Sequence, residues 1–239
     1  MRNQLVGWCA ILVAWLVGIG ACVENRQSVT ILQMQAADDN CMVSSGQSSN
    51  TVQMGRLDIW NAANVPTEYY LFPLVKNNLL STASTDDVER NQIEIVEAVV
   101  ELDLGASGGT AKFNYPAFIT LSPGESAAVQ VRAIPSSVSE VLAGRLTSPG
   151  DSQWVRIGVR LRYQHGEYEK ETHQVDFPVL VGRYILFPSP EETPGCDSGL
   201  VPEQVREGNG CNIYQDKPID CCTMGGNLIC PAEDMSTLE

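Results

Sequence analysis

Histidine is nearly missing from this chain: His165 and His173 are the only two in 239 residues. A serine triad needs a histidine beside its nucleophile, and no serine here sits in a G-x-S-x-G setting. Both histidines fall in one expected hairpin, His165 at its tip and His173 several residues into the return strand, so they are not placed to share a metal. No C-x-x-C is present, which removes the usual dithiol redox site. The glycine run Gly105 to Gly109 lacks a following Lys-Ser/Thr and leads into a strand, so it reads as a turn and not a phosphate cradle. Positive charge is also scarce, with 15 Lys and Arg against 29 Asp and Glu for a net charge of −14. Nucleic acid and anionic lipid both require a basic face, so neither is an expected partner. There is no internal repeat and no coiled-coil heptad. These absences predict no cofactor, no metal site and no catalytic residue.

What is present starts at the N-terminus. Arg2 is followed by Leu5 to Ala21, seventeen residues without charge, ending in small residues: the layout of a secretory signal. The rival is a membrane-spanning helix, which needs about 20 apolar residues. This stretch is shorter and carries Gly7, Gly18 and Gly20. Its ending, Ile19-Gly20-Ala21-Cys22, resembles a bacterial lipobox, which implies that Cys22 is lipidated and becomes the mature N-terminus. Two or three acyl chains hold a soluble domain on a bilayer where one alone would not. Val23 stands where an Asp would mark inner-membrane retention, so the resemblance to Gram-negative lipoproteins points to the outer membrane, on either face.

Beyond Cys9 in the signal and Cys22, six cysteines remain: Cys41, Cys196, Cys211, Cys221, Cys222 and Cys230. An even number in an exported chain predicts a disulfide framework, with fifteen pairings open. Adjacent Cys221 and Cys222 are expected to bond two different partners, because joining them strains the intervening peptide. If all six pair, Cys41 must reach the C-terminal segment and pin it to the body. Spacings of fourteen, nine, zero and seven residues, without histidine, do not suit a zinc cluster. Charge breaks at the same place, since 191–239 hold ten acidic residues against two basic ones. The expected organisation is a signal peptide (1–21), a lipidated tether (22–27), a β-domain (28–189) and an acidic, cysteine-rich tail (190–239). The tail is rich in turn formers and poor in apolar runs, so cross-links are its expected source of stability.

Within 28–189, short alternating runs separated by turns predict strands. Ser28 to Ala36, Thr51 to Trp60 with a bulge at Gly55, Glu68 to Val75, Gln92 to Leu104 with a phase slip after Ile95, Lys112 to Leu121, and Ala127 to Ala133 are candidates. Pro73 cannot donate a ladder hydrogen bond and marks an edge or an irregularity. Ser137 with Glu140 fits a capping box that opens one short helix through Val138, Val141, Leu142 and Leu146. The best hairpin pairs Val155 to Tyr163 with Val175 to Val179. Both apolar sets are odd-numbered, so the pairing sum must be even and the connection odd in length, such as three residues with Gly166 at positive φ. Arg156, Arg160 and Arg162 then lie on the outer face near Glu169, Glu171 and Asp176. The fold class is all-β, an antiparallel immunoglobulin-like sandwich with one short helix and a disulfide-rich tail; a barrel is the alternative.

Three features could carry chemistry. Glu97, Glu101 and Asp103 share one strand face and could resemble a glycosidase pair, but on a convex, solvated surface. Asp38-Asp39-Asn40 and Asp86-Asp87-x-Glu89 are acidic loops that could bind calcium weakly, but they lack EF-hand spacing and read as solvated loops. The run Tyr69 to Phe72 could stack glycans, although a strand beside the core explains it as well.

Leu57-Asp58-Ile59, Tyr69-Tyr70-Leu71-Phe72-Pro73-Leu74-Val75-Lys76-Asn77 and Cys221-Cys222 with Leu228-Ile229-Cys230-Pro231, together with the lipobox, resemble uncharacterised lipoproteins of myxobacteria and related deltaproteobacteria. That resemblance carries location and architecture but no activity. The combined expectation is a non-enzymatic envelope protein, held to the membrane by lipid, that binds a protein or glycan partner. A purely structural envelope role is the alternative, and an extracytoplasmic hydrolase a distant third.

Overall fold

The structure is a computed structural model that describes residues 27–38, 40–46, 50–82, 89–105, 108–189, 191, 193–196, 206–225 and 227–230. The expected signal peptide, Cys22 and most of its tether, and the acidic residues Asp39, Asp86 and Asp87 lie outside the described residues. The fold is predominantly β, in two main sheets. The smaller centres on β3 (Tyr69–Asn77), flanked on one side by β1 (Val29–Gln35) and on the other by β6 (Ser126–Ala128) and then β7 (Val131–Ile134). The larger runs in the order β2 (Gly55–Asp58), β10 (Val175–Gly182), β8 (Ser152–His165), β4 (Ile93–Asp103), β5 (Thr110–Leu121), with β9 (Tyr168–Glu171) also on β8. Among the described strands, pairing is antiparallel except between β2 and β10, which run parallel. A third, two-stranded ribbon joins β11 (Cys222–Met224) to β12 (Asn227–Ile229).

Alternation builds the core. Ala98, Val100 and Leu102 of β4, Val155 to Leu161 of β8 at odd positions, and Phe177 to Val181 of β10 point the same way. They meet Tyr69, Leu71 and Val75 of β3 in one buried cluster drawn from both sheets. The phase slip after Ile95 is a bulge: Val96 has no opposite number on β8 and faces two residues, Ala117 and Phe118, on β5. Pro73 lies in the central strand of its sheet, opposite the break between β6 and β7, so it marks an irregularity and not an edge.

Three expectations are corrected. The second strand is only Gly55–Asp58, and Gly55 is no bulge: an added Cβ would collide with the Tyr69 hydroxyl, which passes over this position. The helix, α1 (Ser136–Ala143), starts one residue before Ser137, with Pro135 as N-cap and no side-chain capping bond, so the capping box does not form. Proline pre-sets the backbone at that boundary. The long hairpin turns through two residues, Gly166 and Glu167, between the paired His165 and Tyr168. The even pairing sum still holds from Val175↔Val159 onward. It is restored by an extra residue between Glu171 and Val175, where Thr172 is buried, its N–H donating to Leu161 O and its hydroxyl accepting from Leu161 N.

The two sheets share two poles. At one are Ser28, Asn77, Asn91, Leu121 and the Gly166 turn, drawn together by Asn77 Nδ2 donating to Asn91 O and Leu121 O. At the other, β1 and β10 end, β3 begins, and the C-terminal segment packs.

Candidate binding site at the tail seam

At this second pole the C-terminal segment supplies what the body lacks. β1 pairs with β3 only from Phe72 onward, so the main chain of Tyr70 lies past its last rung. The Gln215 side chain takes that place: Tyr70 N donates to Gln215 Oε1 (3.0 Å) and Gln215 Nε2 donates to Tyr70 O (2.9 Å). Next in sequence, Asp216 serves β2 in the other sheet. Arg56 N donates to Asp216 Oδ1 (2.9 Å), and Asp216 N donates to Arg56 O (2.9 Å). Asp58 N completes the edge by donating to Tyr214 O (2.9 Å). Two adjacent side chains therefore close open main-chain groups of strands in different sheets. An amide can do this because it carries a donor and an acceptor at the spacing of a peptide unit.

Tyr69 crosses the core edge to the same carboxylate, its hydroxyl donating to Asp216 Oδ1 (3.0 Å). Burial pushes both the Tyr69 phenol and the Asp216 carboxyl above their ordinary pKa values; the phenol is driven further up by the adjacent carboxylate. Asp58 is fully buried and gathers four main-chain donors: Trp60 N and Tyr184 N on Oδ1, Leu186 N and Phe187 N on Oδ2. Burial raises its pKa, and the four N–H groups oppose that rise. The segment it holds places Tyr184 and Phe187 around Trp60, and Phe187 against Tyr214. These rings form a second small core with Leu186, Ile219 and Cys221.

Three disulfides fasten the assembly: Cys41–Cys211, Cys196–Cys222 and Cys221–Cys230. The adjacent Cys221 and Cys222 thus bond different partners, and Cys41 ties the tail to the body. Among the described residues, three non-glycine residues have left-handed φ: Cys41 (62°), Tyr184 (58°) and Asp216 (64°). All three sit at this pole. Such conformations cost on the order of 1–3 kcal/mol each and persist only where surrounding contacts over-determine them.

The seam encloses a cleft of about 320 Å³, walled by the Cys41–Cys211 bridge and lined by Tyr70, Phe72, Gln130 and Asn209. Alternation along β3 explains its aromatic wall. Tyr69 and Leu71 go to the core, while Tyr70 and Phe72 face outward, half-exposed. The aromatic run is therefore both core and surface. The Tyr70 hydroxyl donates to Glu68, which Arg132 also contacts (3.5 Å), so the ring is held in place.

The other candidate residues do not converge on this cleft. Glu97 pairs with Arg162 (2.6 Å), Asp103 with Arg156 (3.1 Å), and Glu101 with both Arg160 and Lys112. Glu101 is drawn below the ordinary carboxylate range, foremost by its Lys112 hydrogen bond, the reverse of what a general acid needs. Arg162 also meets Glu169 and Glu171, Arg160 meets Glu171, and Arg156 approaches Asp176, so this outer face is a compensated ion-pair layer. His165 Nε2 lies 3.2 Å from Asn91 Oδ1, and His173 is exposed beside the Thr172 bulge. Asp38 caps its own loop by accepting from Asn40 N and Met42 N. Glu89 accepts from the Ser81 hydroxyl, Thr82 N and Asn91 N. Among the described residues, no three His, Cys, Asp or Glu side chains are grouped to hold a metal.

Sequence reasoning missed Asp58, Gln215 and Asp216. The signal for Asp58 was a lone carboxylate inside Leu57-Asp58-Ile59-Trp60. An amide and an acid in a turn-rich tail carry no such signal.

No family model and no curated protein matches the chain. Among solved structures it is similar to a protein from Archaeoglobus fulgidus at 10% identity and a TM-score of 0.32, over 49% of this chain and 85% of that one. A likeness at that level bears on neither fold nor activity.

Proposed function

We propose that this chain is a lipid-anchored cell-envelope protein of a Gram-negative outer membrane that binds a protein or glycan partner without catalysis. Its body is read as an immunoglobulin-like sandwich (28–189) and its tail as a stapled appendage (190–239). Two separately hydrogen-bonded sheets around one shared core favour a sandwich over a barrel. Three disulfides suit an oxidising compartment. The observation that carries the binding reading is the seam: a preformed cleft, built where strained backbone, the half-buried Asp216 carboxylate and a disulfide meet. Placement agrees with it. Gln27 sits at the opposite pole, where Asn78 Nδ2 donates to its carbonyl. Five residue steps from Cys22 reach at most about 18 Å, so a lipid at Cys22 keeps that pole near the bilayer and turns the seam away.

Cross-linked pull-down with the mature, oxidised protein in its own membrane tests this. A stoichiometric protein or polysaccharide that protects Tyr70, Phe72 and Asn209 from labelling is the expected result. Absence of any partner, with anchoring and disulfides intact, refutes the binding reading in favour of the structural role.

A further inference from the structure

The seam cleft has a definite chemical character. Its rings, Tyr70 and Phe72, stand two residues apart on one face of β3, or about 7 Å. Its polar lining holds one carboxylate, Asp216, and several amides. The Asp216 carboxylate is taken up by Arg56 N, the Tyr69 hydroxyl and Gln215 Nε2. Glu68, just outside, is engaged by Tyr70 and Arg132. Two amides keep capacity to spare. Asn209 spends its oxygen on Cys211 N and Asn212 N, and its NH₂ has no partner among the described residues. Gln130 is exposed and likewise without a side-chain partner among the described residues.

Each property excludes a class of ligand. With no Lys or Arg among the described residues of the lining, phosphate and carboxylate ligands gain nothing there. An extended peptide needs open main-chain groups, and those of Tyr70 are already occupied by Gln215. The two rings and the amides with spare capacity suit a neutral molecule with apolar faces to lie on the rings and hydroxyls to meet amides.

We propose that the seam cleft binds a neutral saccharide, about two sugar units stacking on Tyr70 and Phe72 while Gln130 and Asn209 hydrogen-bond their hydroxyls. This rests on the reading of the chain as an envelope binding module and names the ligand class of that site. The walls are held by the Cys41–Cys211 bridge and the Gln215 clamp, so little ordering cost opposes binding.

The test uses the mature, oxidised protein with cellotetraose, maltotetraose and tetra-N-acetylchitotetraose, followed by saturation-transfer NMR and calorimetry. At least one is expected to bind. Phe72→Ala should weaken it about tenfold or more and Gln130→Ala several-fold, while Lys112→Ala, on the remote ion-pair face, leaves affinity unchanged. Gln130 is exposed, so its variant keeps the test sound even if Phe72→Ala fails to fold. No binding of any of the three, or binding indifferent to both substitutions, overturns the proposal. If the saccharides fail while the membrane pull-down yields a protein seated on the seam, the binding-module reading stands and the saccharide class falls.

Discussion

Replacing Asp58 by Asn changes almost no volume, yet the structure predicts a large loss of stability. Each carboxylate oxygen accepts two main-chain N–H groups, Trp60 and Tyr184 on one, Leu186 and Phe187 on the other. An amide must turn its NH₂ toward one of these pairs, leaving two buried donors facing a donor. Each costs about 1–3 kcal/mol, and relief from burying a charge offsets part of the sum, so the net loss is about 3 kcal/mol. For a chain of this size that lowers Tm by about 10 °C. Urea titration under oxidising conditions, followed through Trp60 in the aromatic cluster, measures it. The midpoint should fall with the slope unchanged. The pH dependence supplies a second check. Because Asp58 binds its proton more tightly folded than unfolded, its contribution to stability grows as pH falls from the folded pKa toward 3.8, and Asp58→Asn abolishes that slope. A loss below about 1 kcal/mol would show that the four N–H groups do not depend on the charge, and an unchanged slope would show that burial does not raise the Asp58 pKa.

Other outcomes follow from the same geometry. Cys41→Ser with Cys211→Ser opens a closure of 170 residues, worth up to about 5 kcal/mol on a chain-entropy basis, and should release the tail to proteolysis while the other two bridges persist in peptide mass spectrometry. Gly55→Ala should cost at least about 2 kcal/mol by denaturation, since the new methyl displaces the Tyr69 hydroxyl from Asp216. Glu89, held at about 2 chiefly by the Ser81 hydroxyl, should keep the Thr82 amide resonance unshifted above its unfolded value of 4.5 and down to the vicinity of pH 2, where protonation releases it. Glu97→Gln or Glu101→Gln should each alter stability by less than about 1 kcal/mol, because these ion pairs lie half-exposed on the outer face and each arginine keeps another carboxylate partner.

Much of the body was legible because alternation is a local signal. The strands of the long hairpin, the slip after Ile95 and the outward arginines all follow from period-two patterning. The odd-length turn failed for an instructive reason. Patterning constrains only the total offset between Val159 and Val175, and the chain satisfied it with an extra residue near Thr172 instead of one in the loop. Ser137 and Glu140 matched a capping motif, but the proline before Ser136 set the boundary first. The seam was illegible because its logic is non-local: Gln215 closes the main chain of Tyr70, 145 residues away.

The seam also constrains the order of biogenesis. As the chain emerges, Cys41 meets Cys196 before Cys211 exists, so vectorial synthesis offers the wrong partner first. Until residues 212–216 arrive, β2 lacks its outer neighbour and Tyr70 its main-chain partner. The body closes only once residues 212–216 are delivered, and any early bridge to Cys41 must then reshuffle, a process of seconds to hours.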